Sequence, residues 1–273
     1  MLTLTVEEEQ SLKQFTDNSY AQASFFWQYL LKNKEIKVNG KKVGADVALK
    51  KGDTVSYFLT PKQEEKRAFA VLYEDENVLV ADKESGVNSE AVYAAIKREK
   101  EIYFIHRLDR NTQGLLIFAK TPACERALLN AFKERKVEKV YHALCAGKIN
   151  PPQKTLTAYL KKDEKTSTVQ VFDEPKDGAE KIITEYRTLD CKKGISKIEI
   201  RLHTGKTHQI RAHFAHIGNP VLGDMKYGDK QVNQRFNRTR QCLVAKRLAL
   251  ALPEMPELDG KSFLSGFDVD IIE

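Results

Sequence analysis

The stretch FIHRLDRNTQGLLIFAK, residues 104–120, decides the fold prediction for this chain. Its first residues complete the apolar run EIYFIH, and its last residues form the apolar run LLIFAK. This pattern predicts two short strands joined by the polar loop RLDRNTQG. In that loop Asp109 stands between Arg107 and Arg110. Loops held between strands often carry function, but an acid beside two arginines is also typical of a structural ion pair, so both interpretations are open.

Segments on both sides of this loop predict an α+β fold. Strand character is found in AVLYEDENVLVADK, KVYHALCAG and SKIEIRLHTG. The segment TPACERALLNAFKERK predicts a helix that has Thr121 as its N-cap and Pro122 in its first turn. The segment THQIRAHFAHIGNP predicts a short helix that buries Ile210, Phe214 and Ile217. Because strands outnumber helices and hairpin spacing dominates, we predict a mixed, mostly antiparallel sheet.

Residues 1–60 predict a small N-terminal α/β module. Helical sequence from Ser11 to Lys32 precedes IKVNGKKV, in which Asn39-Gly40 is a strong tight-turn signal, and KKGDTV then leads into another strand. The polar residues 61–69 interrupt the periodicity and predict a linker. We therefore expect a second, larger domain over residues 70–273.

The charge of the chain indicates a polyanionic partner. Over 273 residues the net charge is +7 and the pI is about 9.0. Seven lysines lie within residues 32–52, and seven basic residues lie within 226–247. Such clusters are typical of nucleic-acid binding, although two solvated surfaces would have the same composition. The expected RNA-binding residues of the module are Lys37, Lys41, Lys42, Lys50 and Lys51.

Composition also excludes several classes of protein. No run approaches the ~18 apolar residues of a membrane span, and the N-terminus resembles no secretory signal, so we expect a cytoplasmic protein without a membrane partner. The four cysteines are far apart and form no CxxC pair. Four histidines fall within residues 203–216, but without metal-ligand spacing. We therefore expect no metal site. We also expect no cofactor, and our working assumption is a monomer.

The loop sequence resembles a known catalytic motif. HRLDRNTQGLLIFAK is similar to HRLDxxTSGLLLxAK, the motif of the RluA-type RNA pseudouridine synthases. The resemblance continues in order through VLYEDENVLVADKESGV, KVYHALCAGKI, IRLHTGKTHQIRAHFAHIGNPVLGDMKYG and CLVAKRLALALP, which together cover most of residues 69–253. Residues 11–60 resemble the S4-like RNA-binding module that often accompanies this family, although SLKQF replaces the usual Arg-Leu-Asp opening.

The resemblance implies roles for individual residues. Asp109 would be the catalytic aspartate, Tyr141 would pack on the target base, and Arg211 would pair with Asp109 and keep it ionised. The substrate-binding residues implied are Arg107, Lys206, His208, Gln209 and Leu243. The chain departs from the family pattern at three positions: Gln113 replaces Ser, Glu84 replaces Pro, and Lys206 replaces Arg.

The function implied is isomerisation of specific uridines to pseudouridine in structured RNA, with 23S ribosomal RNA as the first expectation and transfer RNA as an alternative. The reaction needs no metal and no group donor. Asp109 would act either as a nucleophile or as a base, and the sequence leaves both routes open. A non-catalytic RNA-binding ribosome assembly factor is the competing hypothesis. A third is a hydrolase that uses Asp109 with His106. In the enzyme hypothesis we expect Asp109 to be paired mainly with Arg211.

Overall fold

The computed structural model describes residues 1–163 and 168–271. The first part of the chain forms a small sheet with helices on one side. Its strands and helices, in order, are β1 (Leu2–Thr5), β2 (Gln10–Ser11), α1 (Leu12–Ser19), α2 (Ala21–Phe25), α3 (Trp27–Lys32), β3 (Ile36–Val38), β4 (Lys41–Val43), β5 (Ala48–Leu49), β6 (Thr54–Tyr57) and α4 (Pro61–Glu64). The four-stranded sheet has the order β1-β6-β3-β4, and β2 pairs with β5.

The N-terminal sequence predictions are mostly confirmed in detail. Strands β3 and β4 form the hairpin expected around Asn39-Gly40, and both turn residues have positive φ. The helical segment expected over residues 11–32 is divided into α1, α2 and α3, with breaks at Tyr20 and Phe26. Helix α1 begins where the Ser11 hydroxyl accepts a hydrogen bond from the Gln14 N–H, which is an N-cap. In the predicted linker, residues 61–64 form α4, and the next strand already begins at Phe69.

The rest of the chain forms a large sheet with helices packed on it. Its strands and helices, in order, are β7 (Phe69–Glu74), β8 (Val78–Lys83), α5 (Ser89–Lys97), β9 (Tyr103–Phe104), β10 (Gln113–Ala119), α6 (Pro122–Lys133), β11 (Val137–Ala146), β12 (Gln153–Asp163), β13 (Thr168–Phe172), β14 (Glu180–Lys192), β15 (Ile195–Leu202), α7 (Gln209–His216), α8 (Lys230–Arg235), β16 (Leu243–Leu250) and β17 (Ser262–Leu264). Within the described residues the sheet has 11 strands.

The topology of this sheet confirms the predicted fold class. The strand order is β13-β12-β14-β15-β11-β16-β10-β8-β7, with β17 beside β16 and β9 beside β10. Its pairs are antiparallel except β10 with β16, so the sheet is mixed and mostly antiparallel. The parallel pair needs a close backbone approach at Gly114, where φ is +113° and a Cβ would lie 2.3 Å from the carbonyl oxygen of Ala245. Glycine is therefore required there.

Two apolar layers hold this sheet together. One face packs against α6, where the side chains of Cys124 and Leu128 are buried against β8, β10 and β16. The other face packs against α5, whose buried Val92 and Ile96 contact β8 and β10. The helix over residues 122–133 thus begins at the predicted N-cap, because the Thr121 hydroxyl accepts a hydrogen bond from the Cys124 N–H. Among the described residues no helix is long and apolar enough to cross a membrane.

Candidate active site

Asp109 lies in the loop between β9 and β10, and buried polar groups hold that loop. The Ser89 hydroxyl bonds both backbone groups of Leu108, at 2.9 and 3.1 Å. Lys83 is fully buried and donates to the carbonyl oxygens of Glu84, Val87 and Arg110 at 2.9–3.1 Å. Burial lowers the pKa of Lys83 to about 7, although the negative charge of Asp109 opposes this shift. The chain on both sides of Asp109 is therefore fixed.

Arg211 contacts Asp109 as expected, but its main partner is a second acid. Its Nη1 lies 2.9 Å from Oδ2 of Asp109, while its Nε and Nη2 lie 2.7 and 3.0 Å from the two carboxylate oxygens of Asp224. The side chain of Asp224 is 1% exposed, that of Arg211 8%, and that of Asp109 24%. Arg211 therefore bridges a buried carboxylate and a carboxylate that reaches solvent. Asp224 lies in the quoted GDMKYG block, but no role was predicted for it.

Electrostatics keep the buried pair charged. Burial alone would raise the pKa of Asp224, but the hydrogen bonds and charge of Arg211, together with backbone N–H donors from Lys226 and Tyr227, bring the net pKa below its ordinary value. Burial would likewise lower the pKa of Arg211, but Asp224 and Asp109 raise it overall. The guanidinium is consequently a fixed cation beside Asp109.

His208 and Tyr227 extend this network. His208 caps α7 with a left-handed φ of 55°, and its Nε2 lies 3.9 Å from Oδ2 of Asp109. Its Nδ1 lies 2.8 Å from the Tyr227 hydroxyl, which also accepts a hydrogen bond from the Val169 N–H. This hydrogen bond fixes the orientation of the imidazole ring, with Nε2 on the side of Asp109. Burial, with the charges of Arg211 and Lys226, lowers the pKa of His208, so the ring is neutral at pH 7.

A cleft of about 300 Å³ opens beside Asp109. Its walls include Tyr141 from β11, Leu243 from β16 and Arg211 from α7. A register shift between Val140 and Tyr141 interrupts the pairing of β11 with β16, and such bulges re-aim side chains next to sites. Burial and the negative charge of Asp109 raise the pKa of Tyr141, so its hydroxyl stays protonated. The cleft thus combines an aromatic ring, an aliphatic wall and one carboxylate.

Of the other substrate-binding residues implied by the resemblance, some face the cleft and one holds the surrounding backbone in place. Arg107 is exposed, lies 3.3 Å from Glu90 and lines the cleft, as does Lys206. Leu243 is buried in the cleft wall. Gln209 also borders the cleft, but it is 2% exposed and its amide bonds the Lys206 N–H, the Ile183 carbonyl and two threonine hydroxyls. These bonds occupy the amide of Gln209, so it holds the turn before α7 rather than offering free groups to a substrate.

The surroundings of His106 argue against the hydrolase hypothesis. His106 lines the cleft, but its Nε2 accepts the Ile117 N–H at 3.2 Å and its ring stacks on Phe132. Burial lowers the pKa of His106 to about 3, so the ring is neutral and its acceptor nitrogen is already occupied. Within residues 1–163 and 168–271 no cluster of His, Cys, Asp or Glu could hold a metal ion.

Two of the departures from the family motif contact each other. The amide nitrogen of Gln113 donates to the carboxylate of Glu84 at 3.2 Å. The third departure, Lys206, lies 2.6 Å from Glu180. Gln113 and Glu84 are therefore partners at the paired ends of β10 and β8.

The lysines predicted to bind RNA lie on the N-terminal sheet and the segments that join its strands. Lys37 lies over the ring of Phe58, and the remaining four lysine side chains are exposed. None of the five lines the cleft beside Asp109.

Comparisons with known proteins place this site in a family context. A family model described as RNA pseudouridylate synthase matches residues 76–216. A ribosomal large subunit pseudouridine synthase C from Vibrio parahaemolyticus is 30% identical, covering 74% of this chain and 71% of the relative. An uncharacterized RNA pseudouridine synthase from Aquifex aeolicus is 32% identical, covering 82% of this chain and 78% of the relative. The solved structure of human RNA pseudouridylate synthase domain containing 1 has a TM-score of 0.61 at 24% identity, over 73% of this chain and 83% of that one, so the fold is shared.

Proposed function

The chain belongs to the RNA pseudouridylate synthase family, and on that premise we propose that it isomerises specific uridines of large-subunit ribosomal RNA, with Asp109 as the reacting carboxylate. Asp109 carries the proposal. It is a partly exposed carboxylate, held at 2.9 Å by a buried arginine, in a cleft that also contains Tyr141. The large-subunit target is supported by the name of the Vibrio relative. Transfer RNA is the alternative substrate.

The geometry suits the bonds that must change. The N1–C1′ bond of uridine breaks, the uracil turns, and a C5–C1′ bond forms, while the proton on C5 is lost and N1 gains one. Asp109 would act at C1′ as a nucleophile or at C2′ as a base, and both routes need an ionised carboxylate close to the ribose. Arg211 fixes the direction of that carboxylate, since Asp224 holds the guanidinium from its other edge.

The cleft also suits a single extruded nucleotide. Its volume of about 300 Å³ lies at the lower end of the range of small-molecule sites, so it would admit one nucleoside but no helix. Tyr141 offers a face for the base, while Arg107 and Lys206 at the cleft are suited to phosphates. We further propose that residues 1–60 act as an S4-like RNA-binding module and that the protein works as a cytoplasmic monomer.

The test uses Asp109→Asn beside Asp177→Asn, which changes an exposed aspartate in the same way. Each protein is incubated with transcribed 23S ribosomal RNA and with transfer RNA, and pseudouridine is mapped. We expect Asp109→Asn to lose all detectable product while RNA affinity is retained, and Asp177→Asn to match the wild type. Product formation by Asp109→Asn would refute the role of Asp109. RNA binding by the wild type without any product would favour the assembly-factor hypothesis.

A further inference from the structure

The N-terminal residues are fixed to the catalytic loop. Arg110, which follows Asp109, donates to the Ser24 hydroxyl at 2.8 Å and lies 2.7 Å from the carboxylate of Asp17. The Ser24 hydroxyl also bonds Asp17, so one partly buried acid contacts both groups. Ala21 and Phe25 pack into the same apolar cluster as residues from α5, β8 and β10. The predicted linker therefore joins two parts of the chain that pack against each other, and the interface between them is called the seam.

A basic pocket opens at this seam. The seam pocket has a volume of about 500 Å³ and is lined by Phe25, Lys66, Arg67, Glu84, Ser85, Gly86, Asn111 and Arg240. Three of these residues are cations: Lys66 and Arg67 belong to the predicted linker, and Arg240 to the segment before β16. Their side chains are exposed, and within the described residues none of the three lies within ion-pair distance of a carboxylate. Arg107, Arg110 and Lys206, by contrast, each have an acidic partner.

The charge balance of the seam pocket favours an anionic ligand. Among the residues that the structure describes, Glu84 is the single acid that lines it, and the amide of Gln113 donates to that carboxylate. Three like charges around one pocket repel one another, and a bound anion removes that cost. Lys66 also lies 4.0 Å from the centre of the Phe25 ring, so cationic and aromatic groups lie side by side. This combination is typical of surfaces that follow a single nucleic-acid strand.

The seam pocket lies next to an outer groove that borders the active-site cleft. Arg107, Asp109 and Lys206 line both the cleft and an outer groove of about 740 Å³. Asn111 lines both the outer groove and the seam pocket. A strand whose nucleotide enters the cleft can therefore pass over the loop that carries Asp109 and reach the seam pocket.

We propose that the seam pocket binds the sugar–phosphate backbone of the RNA strand next to the target uridine. The identity of the ligand as RNA rests on the proposed function. Lys66, Arg67 and Arg240 contact phosphates, and the carboxylate of Glu84 weakens that contact. The strand would then be held by both the N-terminal residues and the catalytic domain, because the pocket is built from both.

The first experiment removes the three charges together. The seam variant combines Lys66→Gln, Arg67→Gln and Arg240→Gln. The control variant combines Lys148→Gln, Lys192→Gln and Lys193→Gln, and two of these changes lie at the end of the β14–β15 hairpin that is remote from Lys206. Affinity for a short single-stranded RNA that contains one uridine is measured over a series of salt concentrations. We expect the seam variant to bind about 10- to 100-fold more weakly and the magnitude of its salt slope to fall by about 2, while the control stays near the wild type. Equal behaviour of the two variants would overturn the proposal.

The second experiment predicts a change in the opposite direction. Glu84→Gln removes the carboxylate that lines the seam pocket and keeps a side chain of the same length. We expect this variant to bind the same RNA a few-fold more tightly, with a steeper salt dependence. Weaker binding by Glu84→Gln would mean that the carboxylate accepts hydrogen bonds from a base, and would contradict a backbone site.

Failure of the seam proposal can be told apart from failure of the proposed function. Pseudouridine formation by the wild type tests the function alone, whereas the affinity of the seam variant tests the pocket alone. A wild type that makes pseudouridine together with a seam variant that binds normally would reject only the pocket. A wild type without product whose RNA binding depends on the seam would reject only the enzyme.

Discussion

Replacing Asp224 by Asn tests whether a buried acid that does not line the cleft sets the geometry of Asp109. The change keeps the shape of the side chain and an oxygen that can accept the N–H groups of Lys226 and Tyr227, which bond Asp224 at 2.8 and 3.1 Å. It removes the charge that opposes Arg211 in a site where the acid is 1% exposed and the arginine 8%. Breaking a buried ion pair typically costs ~3–5 kcal/mol. Because Asn retains an acceptor, we expect a loss near the lower end, about 3 kcal/mol of unfolding free energy.

The same change should also lower kcat more than it changes KM. Without Asp224 the guanidinium has Asp109 as its remaining acidic hydrogen-bond partner, so both groups shift from their present positions. Displacements of about 1 Å can cost ~100-fold in rate, and we expect a loss of that order. The assays are urea unfolding and the initial rate of pseudouridine formation, with the exposed Asp177→Asn as the control.

The pH dependence of stability gives a further check. The pKa of Asp224 lies below its ordinary value of 3.8. A group whose pKa is lower in the folded protein stabilises the fold fully at pH values above its pKa in the unfolded protein. This stabilisation is lost as the pH falls through the pKa of the group in the folded protein. The difference in unfolding free energy between wild type and Asp224→Asn should therefore be constant at neutral pH and narrow only in acid below about 3.8.

A double variant separates an unpaired buried charge from simple loss of packing. In Arg211→Met/Asp224→Asn both charges are absent, and an unbranched apolar side chain replaces the arginine. We expect this variant to be more stable than Asp224→Asn alone, although catalytically inactive. A loss below about 1 kcal/mol in the single variant, or a double variant less stable than the single one, would refute the reasoning.

Two other predictions follow from the catalytic loop and the strand after it. Asp17→Asn removes the anion that holds Arg110, so we expect kcat to fall on the order of tenfold with little change in RNA affinity. The control Lys13→Gln removes the other cation at Asp17 and should leave kcat unchanged. Steady-state kinetics on transcribed RNA measure both effects. Gly114→Ala should lower the unfolding free energy measured in urea by at least ~3 kcal/mol, because a Cβ there would lie 2.3 Å from the neighbouring strand. Gly40 also has a positive φ but has open space around it, so Gly40→Ala should lower the unfolding free energy by only ~1 kcal/mol. Similar losses in the two glycine variants would contradict the close approach of β10 and β16.

Local sequence patterns predicted many of the individual elements. Apolar, strand-like runs identified β7, β8, β11 and β15, and the Thr121 and Pro122 signals identified the start of α6. Asn39-Gly40 identified the hairpin of β3 and β4. These features are local, since a turn or a cap depends on a few neighbouring residues. The division of the expected helix over residues 11–32 was missed, because the packing of Tyr20 and Phe26 in the N-terminal core decides it.

Resemblance extended the prediction to the site, and local patterns alone did not. Asp109 and Arg211 are 102 residues apart, so no periodicity could have joined them, while the order of the motif blocks did. Gln209 lies in the same block, but whether its amide faces a substrate or the protein depends on Thr184 and Thr204, which come from other elements. A motif match identifies a residue without telling which of its neighbours it contacts.

The sequence by itself predicted many of the strands and helices and the position of the loop that carries Asp109, and its motifs indicated the family. Only the tertiary structure decided that Asp224 is the main partner of Arg211 and that Arg110 is anchored to Asp17. It also decided that Gln113 meets Glu84. For the last two contacts the physical reason is distance along the chain: β8 and β10 are neighbours in the sheet, and α1 packs beside α5. Arg211 and Asp224 are 13 residues apart, which is still beyond the reach of a turn or helix pattern. Side chains that are far apart in sequence therefore share charges and hydrogen bonds that no local pattern encodes.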